Sequence, residues 1–187
     1  MHKYASEILE FWFKKSKPIQ WFDKNIKYDN LIKKNFLKQH KMAINGDFEN
    51  WKNYAEESLA LIILIDQFSR NIFRGNSKSF EFDYISLDFC KVGLEKSYHK
   101  ELANNDQKLF FILPLIHSEN VNDQKLAIEL LNTNFINDSK FSDIKFFFQR
   151  HYEIIEKFGR FPHRNQILNR VSSQEEIDFL KTPYSSF

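Results

Sequence analysis

Glycine and proline are scarce in this chain, which has 187 residues and only four of each. Folds built from sheets and tight turns use both residues often, so their scarcity argues against such folds and favours long helices with few breaks. The single cysteine, Cys90, excludes an intramolecular disulfide and is typical of a reducing compartment. The length suits one substantial core, and we predict a single helical domain over 1–187.

An excess of one charge and a long apolar run are also lacking. The net charge is only +2, which argues against a surface that attracts nucleic acid or a membrane. The longest aliphatic run, Leu59 to Ile65, is far too short to span a bilayer. The N-terminal stretch MHKYASEILEFWFKKSK lacks the apolar core of a signal peptide. The sequence therefore predicts a soluble cytoplasmic protein with no nucleic-acid or membrane partner.

Signatures of several enzyme classes are missing too. The chain has no glycine-rich phosphate loop, no dinucleotide fingerprint, no CxxC motif and no two histidines four residues apart. We predict no cofactor and no bound metal, although a metal held by His117, Glu119, His151 or His163 stays a minor alternative. Cys90 lies on an amphipathic stripe and is interpreted as a core residue rather than a nucleophile.

Helical spacing dominates what is present. The segment from Glu57 to Phe73 contains LALIILI, apolar on every side, which predicts a helix surrounded by others at the centre of the core. Asp143 to Phe158 carries one apolar stripe and is followed by Gly159, a typical helix end. A helix that begins near Asn105 is predicted to be kinked or interrupted at Pro114. No stretch alternates like a strand, so we predict an all-α fold of irregular antiparallel helical hairpins.

Polar residues at the end of the buried segment form the first candidate site region. The apolar run continues directly into Asp66, Arg70, Asn71 and Arg74. Asp66 and Arg70 are four residues apart and share a helix face. An unpaired buried carboxylate costs several kcal/mol, so we expect Arg70 to meet Asp66, which leaves Arg74 and Asn71 less fully engaged. The alternative is a structural ion pair that ties this helix to its neighbours.

A second group of polar residues lies in and after FGRFPHRN, a stretch without any acid. Its members are Arg160, His163, Arg164, Asn165 and Arg170. Gly159 ends the preceding helix and Pro162 fixes the backbone after it. Free backbone N–H groups at the helix start that follows, together with the arginines, favour an anion. The alternative is a structural turn around Pro162. Farther on, Ser173 with Glu176, or Ser172 with Glu175, offers a capping box.

Three further polar residues accompany apolar segments. His117 and Glu119 follow the stretch FFILPLI. Residues two apart do not face each other on a helix, so these two are not a ready-made catalytic dyad. His151 lies on the apolar stripe of the segment from Asp143 to Phe158. A core histidine bonded to a carbonyl is the favoured interpretation of His151, with ligand binding as the alternative.

Several segments together resemble the bacterial domain of unknown function 924 family. In chain order they include ILEFWF, WFDKNIKYD, LIDQFSRNIFRG, LPLIHSENVNDQ and HYEIIEKFGRFPHRNQILNRVSSQEEIDFL. The resemblance runs from about Ile8 to Phe187 and implies an all-helical domain similar to the tetratricopeptide-repeat superfamily, with no established activity. The family's recurrent polar positions map onto Asp66, Gln67, Arg70, Asn71, Arg74, His117, Glu119, Gln124, His151, Arg160, His163, Arg164 and Asn165.

Two residues depart from the family pattern. Ser69 stands where proline is usual, so the end of the buried helix is expected to be more regular here. Asn169 stands where glycine is usual, and asparagine tolerates the left-handed conformation better than most residues do, so the turn should survive.

These features favour binding of a small anion, such as a carboxylate, a phosphate or a peptide C-terminus. The predicted ligand-binding residues are Asp66, Arg70, Asn71, Arg74, Glu119, His151, Arg160, Arg164 and Asn165. The alternative is a hydrolytic or acid–base enzyme that uses His117 and His163. A third possibility is a scaffold whose helical hairpins hold a protein partner.

Overall fold

The computed structural model describes residues 1–187, and its regular elements are all helical. The chain forms two compact units, Met1–Pro114 (unit 1) and Leu115–Phe187 (unit 2). The α-helices are α1 Lys3–Glu10, α2 Ile26–Ile44, α3 Ala55–Ile62, α4 Phe68–Ile72, α5 Asp83–Glu95, α6 Tyr98–Glu101, α7 Asn105–His117, α8 Val121–Asn134, α9 Phe141–Phe158 and α10 Gln174–Phe179. The all-α class is confirmed, whereas the single domain and the likeness to tetratricopeptide repeats stay predictions.

Shorter helical turns connect these helices. Two are π-helical, Phe11–Lys15 and Ile63–Gln67, and four are 3-10 turns, Pro18–Trp21, Glu49–Asn53, Ser77–Ser79 and Pro162–Arg164. None of the helices combines the length and the apolar character that crossing a membrane requires.

The core of unit 1 is built around α3 and α4. Every residue from Leu59 to Ile65 is at most 1% exposed, because the apolar side chains cover the whole circumference of this helix. Helix α1 and helix α5 pack against α3, and α2 packs against α4. The predicted central helix is therefore confirmed.

The junction between α3 and α4 is less regular than Ser69 led us to expect. A π-helical turn, Ile63–Gln67, lies directly before α4, and such a turn fits one extra residue into the helix. Ser69 itself is α-helical and 1% exposed. Its hydroxyl lies 2.8 Å from the Nε2 atom of His40, so the serine also satisfies a buried polar group of α2.

Helix α7 continues through Pro114, so of the two outcomes predicted there, a kink or an interruption, the interruption is wrong. Proline removes one backbone hydrogen bond, but α7 is deeply buried around it: Phe110 and Leu115 are both 0% exposed. Gln124 of α8 is fully buried and donates from Nε2 to the carbonyls of Ile116 and Ser118 at 2.7 and 2.8 Å. These bonds satisfy carbonyls at the end of α7 that have no helical partner.

Unit 2 is built on the pair α8 and α9, which pack against each other. Helix α9 ends at Gly159, whose φ of 66° is the left-handed conformation that glycine adopts without strain. The chain then returns across the α9 face, where Phe161 joins Ile154 and Ile155 in one buried cluster. The predicted capping box of Ser173 with Glu176 starts α10, and Asn169 is left-handed as predicted, with φ 54°.

Candidate functional site

The arginines of unit 1 are bound to carboxylates inside that unit. Asp29 of α2 is 3% exposed and accepts three hydrogen bonds: from Arg74 Nε at 2.6 Å, from Arg74 Nη2 at 2.8 Å and from Asn71 Nδ2 at 2.8 Å. Arg74 therefore makes a two-bond contact with a buried acid. The expectation that Arg74 and Asn71 are less engaged than Arg70 is wrong.

Arg70 is bound mainly to Asp83 rather than to Asp66. Its Nη1 and Nη2 atoms donate to the two Asp83 oxygens at 2.7 and 2.8 Å, whereas the bond to Asp66 Oδ1 is longer, 3.4 Å. Gln67 donates to the other Asp66 oxygen at 2.6 Å. The predicted pair of Asp66 and Arg70 is present, but it is one part of a larger structural network within unit 1.

Glu119 holds three segments of unit 2 together. Its oxygens accept from the backbone N–H of Phe161 at 2.8 Å and from Arg170 Nη1 and Nη2 at 2.6 and 3.0 Å. Burial alone would raise the pKa of Glu119, but these bonds outweigh it and hold the pKa below its usual range. Glu119 therefore fixes the position of the FGRFPHRN stretch.

Arg160 and Asn165 are held by acids and amides of the same region. Arg160 Nε and Nη2 donate to the two Glu176 oxygens at 2.7 and 2.8 Å, and this guanidinium lowers the pKa of Glu176 to about 2. Asn165 is 1% exposed, donates to Ser172 Oγ and accepts from Arg170 Nε. Both residues stabilise the turn after Phe161.

Four side chains of unit 2 form one group: three contact the ring of Phe161, and the ring of the fourth, His117, adjoins that of His151. They are His117, His151, His163 and Arg164, and we call them the His–Arg cluster. The centroids of the His151 and His163 rings lie 5.5 and 5.6 Å from the Phe161 centroid. The Arg164 guanidinium lies 4.4 Å above the Phe161 ring and donates from Nη1 to the His117 carbonyl at 3.0 Å. The His117 and His151 rings are 6.3 Å apart.

Local structure places each member of the cluster. His117 is the last residue of α7, His151 faces inward from α9, and the 3-10 turn Pro162–Arg164 presents His163 and Arg164. Proline at the first position of this turn supplies the φ that the turn needs. The Nδ1 atom of His151 lies 2.7 Å from the Phe147 carbonyl. That bond is the one expected of a core histidine, yet the His151 ring is also part of the His–Arg cluster.

The surroundings of His151 and His163 favour neutral imidazoles. Burial lowers the pKa of His163 to about 4, and the nearby Arg164 adds to that effect. Burial lowers the pKa of His151 to about 3, with a further contribution from His117. Both rings are therefore uncharged at neutral pH because desolvation and repulsion between cations disfavour the imidazolium form. Within this region Glu119 is bound to Arg170 and to a backbone N–H.

A surface hollow of about 490 Å³ lies in unit 1, and its lining includes Phe11, Ser16 and Tyr28. None of the predicted site residues lines it. The structure contains no group of three or more His, Cys, Asp or Glu side chains that could hold a metal ion. The hollow and the predicted site residues are thus separate features of the chain.

Comparison with known proteins places the chain in a family. The profile of a family described as "Bacterial protein of unknown function (DUF924)" matches residues 8–184. The chain belongs to this family. A solved structure with the same fold, the protein of unknown function ATU0120 from Agrobacterium tumefaciens, is 35% identical with a TM-score of 0.85. The match covers 95% of this chain and 96% of that one. No curated protein matches the chain.

Membership of the DUF924 family confirms the resemblance seen in the sequence motifs.

The structure brings six predicted site residues of unit 2 into one region: His117, Glu119, His151, His163, Arg164 and Asn165. Arg160 lies beside them, bound to Glu176. The four predicted residues of unit 1 are bound within that unit: Arg70 binds Asp66 and Asp83, and Asn71 and Arg74 bind Asp29. A ligand-binding role for any of these residues stays a prediction.

Sequence reasoning missed the carboxylates that bind the arginines. A local signal existed for Asp29, because it lies three and seven residues before Ile32 and Phe36 on the buried face of α2. An acid on the buried face of a helix rich in lysine predicts a buried cation partner. Asp83 is the first residue of α5, and the sequence around it did not indicate a cation partner.

The histidines predict a pH dependence of stability. Burial lowers the pKa of His40, which is 1% exposed, to about 4. It lowers the pKa values of His151 and His163 in the same way. Between pH of about 6.5 and 4 the unfolded chain takes up protons at these rings while the folded chain does not. The free energy of unfolding therefore falls with falling pH across this window, by at most about 1.4 kcal/mol per pH unit for each ring.

Urea unfolding between pH 7.5 and 4.5 measures this dependence, and His40→Gln tests one ring. The variant should show a shallower slope between pH 6 and 5, by about 1 kcal/mol per pH unit, because glutamine takes up no proton in either state. An unchanged slope would contradict the burial argument for His40.

Proposed function

We propose that unit 2 binds a small anion, a carboxylate or a phosphate, at the His–Arg cluster. One observation carries the proposal: His151, His163 and Arg164 contact the ring of Phe161 and the His117 ring adjoins that of His151, while both oxygens of the neighbouring Glu119 are engaged by Arg170 and by a backbone N–H. Glu119 is therefore already engaged, beside a guanidinium and imidazoles that can bind an anion. Arginine and imidazolium are the side chains that bind carboxylate and phosphate through charge-assisted hydrogen bonds.

The lowered pKa values of His151 and His163 support the proposal. An anion placed among these rings would favour their protonated forms and offset the repulsion from Arg164. Binding should therefore be accompanied by proton uptake, and affinity should rise as the pH falls from 8 towards 6. Arg70 and Arg74 each bind a carboxylate within unit 1, and the proposal leaves these two residues out of the site.

The alternative is an acid–base enzyme, and one observation favours it. His163 is neutral at neutral pH, its pKa being lowered to about 4, and its buried Nδ1 atom has no hydrogen-bond partner. A neutral imidazole can accept a proton, and a bound anionic substrate would raise the pKa of that ring and so make it a stronger base. Turnover of an anionic substrate that is lost in His163→Gln would favour this alternative.

Thermal unfolding with added sulfate or acetate tests the proposal, with chloride used to keep the ionic strength constant. Binding at 100 times the dissociation constant adds about 2.7 kcal/mol to stability. Arg164→Gln should remove the stabilisation by the anion. Lys157→Gln removes the same charge from a half-exposed side chain of unit 2 and should leave the stabilisation intact.

Folding of the variant decides how the result is interpreted. If Arg164→Gln does not fold, His163→Gln serves as the test because the contacts of His163 with Phe161 and Phe187 are ring contacts rather than hydrogen bonds. Stabilisation by sulfate that persists in folded Arg164→Gln and in His163→Gln contradicts the proposed site. The absence of any stabilisation of the parent protein by either anion contradicts the proposed function itself.

A further inference from the structure

The ring of Phe187 lies against the His–Arg cluster. It stacks on His151, with the two centroids 3.8 Å apart and the planes inclined by 20°. It also meets His163 edge to face, at 6.0 Å and 80°. Two imidazoles therefore form two walls, roughly at right angles, of a slot that holds one planar ring. Phe161 contacts both imidazoles from within the core.

The contact that fills the slot is not a core contact. Phe187 remains 41% exposed, whereas Phe161 beside it is 0% exposed. A half-exposed ring that stacks on imidazoles gains much less from burial than a core phenylalanine does. Displacing Phe187 should therefore cost far less than disrupting the core of unit 2.

The backbone that leads to Phe187 is strained. Tyr184 has φ 55°, in the left-handed region that costs a side chain of this size about 1 kcal/mol or more. Local contacts hold it there: Arg150 Nε donates to the Tyr184 carbonyl at 3.0 Å, and the Tyr184 ring packs edge-on against Phe146 at 4.9 Å. Release of residues 184–187 would relieve this strain, which further lowers the cost of opening the slot.

We propose that the slot between His151 and His163 is a binding site for an aromatic ring, and that Phe187 is an occupant supplied by the chain itself. The inference rests on the proposed anion site and narrows its ligand to an aromatic carboxylate. The ligand's ring takes the place of the Phe187 ring, and its carboxylate meets the His–Arg cluster. Protonation of His151 on binding would strengthen the stack, because an imidazolium attracts the face of an aromatic ring.

Competition with Phe187 is what distinguishes this inference from simple anion binding. If Phe187 fills the slot about nine-tenths of the time, it weakens the apparent affinity for an aromatic carboxylate about tenfold. A small aliphatic carboxylate needs only the charged groups and not the slot. Its affinity should not depend on Phe187.

The test compares 3-phenylpropanoate with acetate in calorimetric titrations of the parent protein, of Phe187→Ala and of Ile177→Ala. Ile177 is a matched control because it is also an apolar residue of unit 2 and is 42% exposed. Phe187→Ala should bind 3-phenylpropanoate about tenfold more tightly than the parent does and acetate equally well. Ile177→Ala should match the parent for both ligands.

The possible failures are distinguishable. If acetate binds but Phe187→Ala leaves the affinity for 3-phenylpropanoate unchanged or weaker, the aromatic slot is wrong and the anion site stands. If neither ligand binds to the parent or to Phe187→Ala, the anion site and the slot are both wrong.

Discussion

Replacing Asp29 with asparagine is expected to lower the free energy of unfolding by about 3 kcal/mol. The carboxylate is 3% exposed and accepts from Arg74 at two atoms and from Asn71 at a third. Asparagine keeps the shape but has one acceptor oxygen instead of two, and its NH2 group would face the guanidinium donors. The guanidinium would then lack its counter-charge in a partly buried position, which is the costly part of breaking such a pair.

A matched substitution separates burial from charge. Asp88 makes an ion pair with Lys52 at 2.6 Å, but its side chain is 55% exposed. Asp88→Asn should therefore cost less than about 1 kcal/mol. Urea unfolding of the two variants measures the difference. If the two variants lose equal amounts of the free energy of unfolding, the bonds of Asp29 contribute no more to stability than an exposed ion pair does.

Replacing Glu119 with glutamine should cost about 2 to 3 kcal/mol and should also abolish the stabilisation by anions. Glu119 holds Phe161 through its backbone N–H and Arg170 through two bonds. The ring of Phe161 contacts His151, His163 and Arg164 of the His–Arg cluster. Loosening its backbone would therefore displace His163 and Arg164 as well as weaken the fold.

A second substitution isolates the uncompensated charge. Removing the guanidinium in Glu119→Gln/Arg170→Gln should restore part of the lost stability, because the cost of a broken pair lies mainly in the charge that is left behind. The control Glu175→Gln removes an acid that is 67% exposed and pairs with Lys157, and it should cost less than about 1 kcal/mol. If the double variant is less stable than Glu119→Gln alone, the charge argument is wrong.

Local features of the sequence predicted the helices well. The central helix from Glu57 to Phe73 followed from a run that is apolar on every side, and the structure buries it completely between Leu59 and Ile65. Gly159 and the capping box of Ser173 with Glu176 are short-range signals and lie where they were expected. The continuation of α7 through Pro114 was not predictable locally, because burial of its neighbours decides it.

Contacts distant in sequence explain what could not be predicted. Arg74 binds an acid 45 residues away and Arg170 binds one 51 residues away, so helix spacing could indicate that Asp29 needs a cation but not which residue supplies it. The position of Phe187 depends on a left-handed tyrosine, and tyrosine is not a residue that signals this conformation. The polar residues of the site were recognisable as a set, but their partners were not.

The central claim is that the His–Arg cluster binds an anion together with protons. Calorimetric titration with sulfate at pH 6, in two buffers of different ionisation enthalpy, measures proton uptake directly. The account predicts net uptake of protons by the parent protein and a smaller uptake by His163→Gln, because burial and Arg164 keep this ring neutral until an anion arrives. Sulfate binding with no proton uptake, or with the same uptake in His163→Gln, would contradict it.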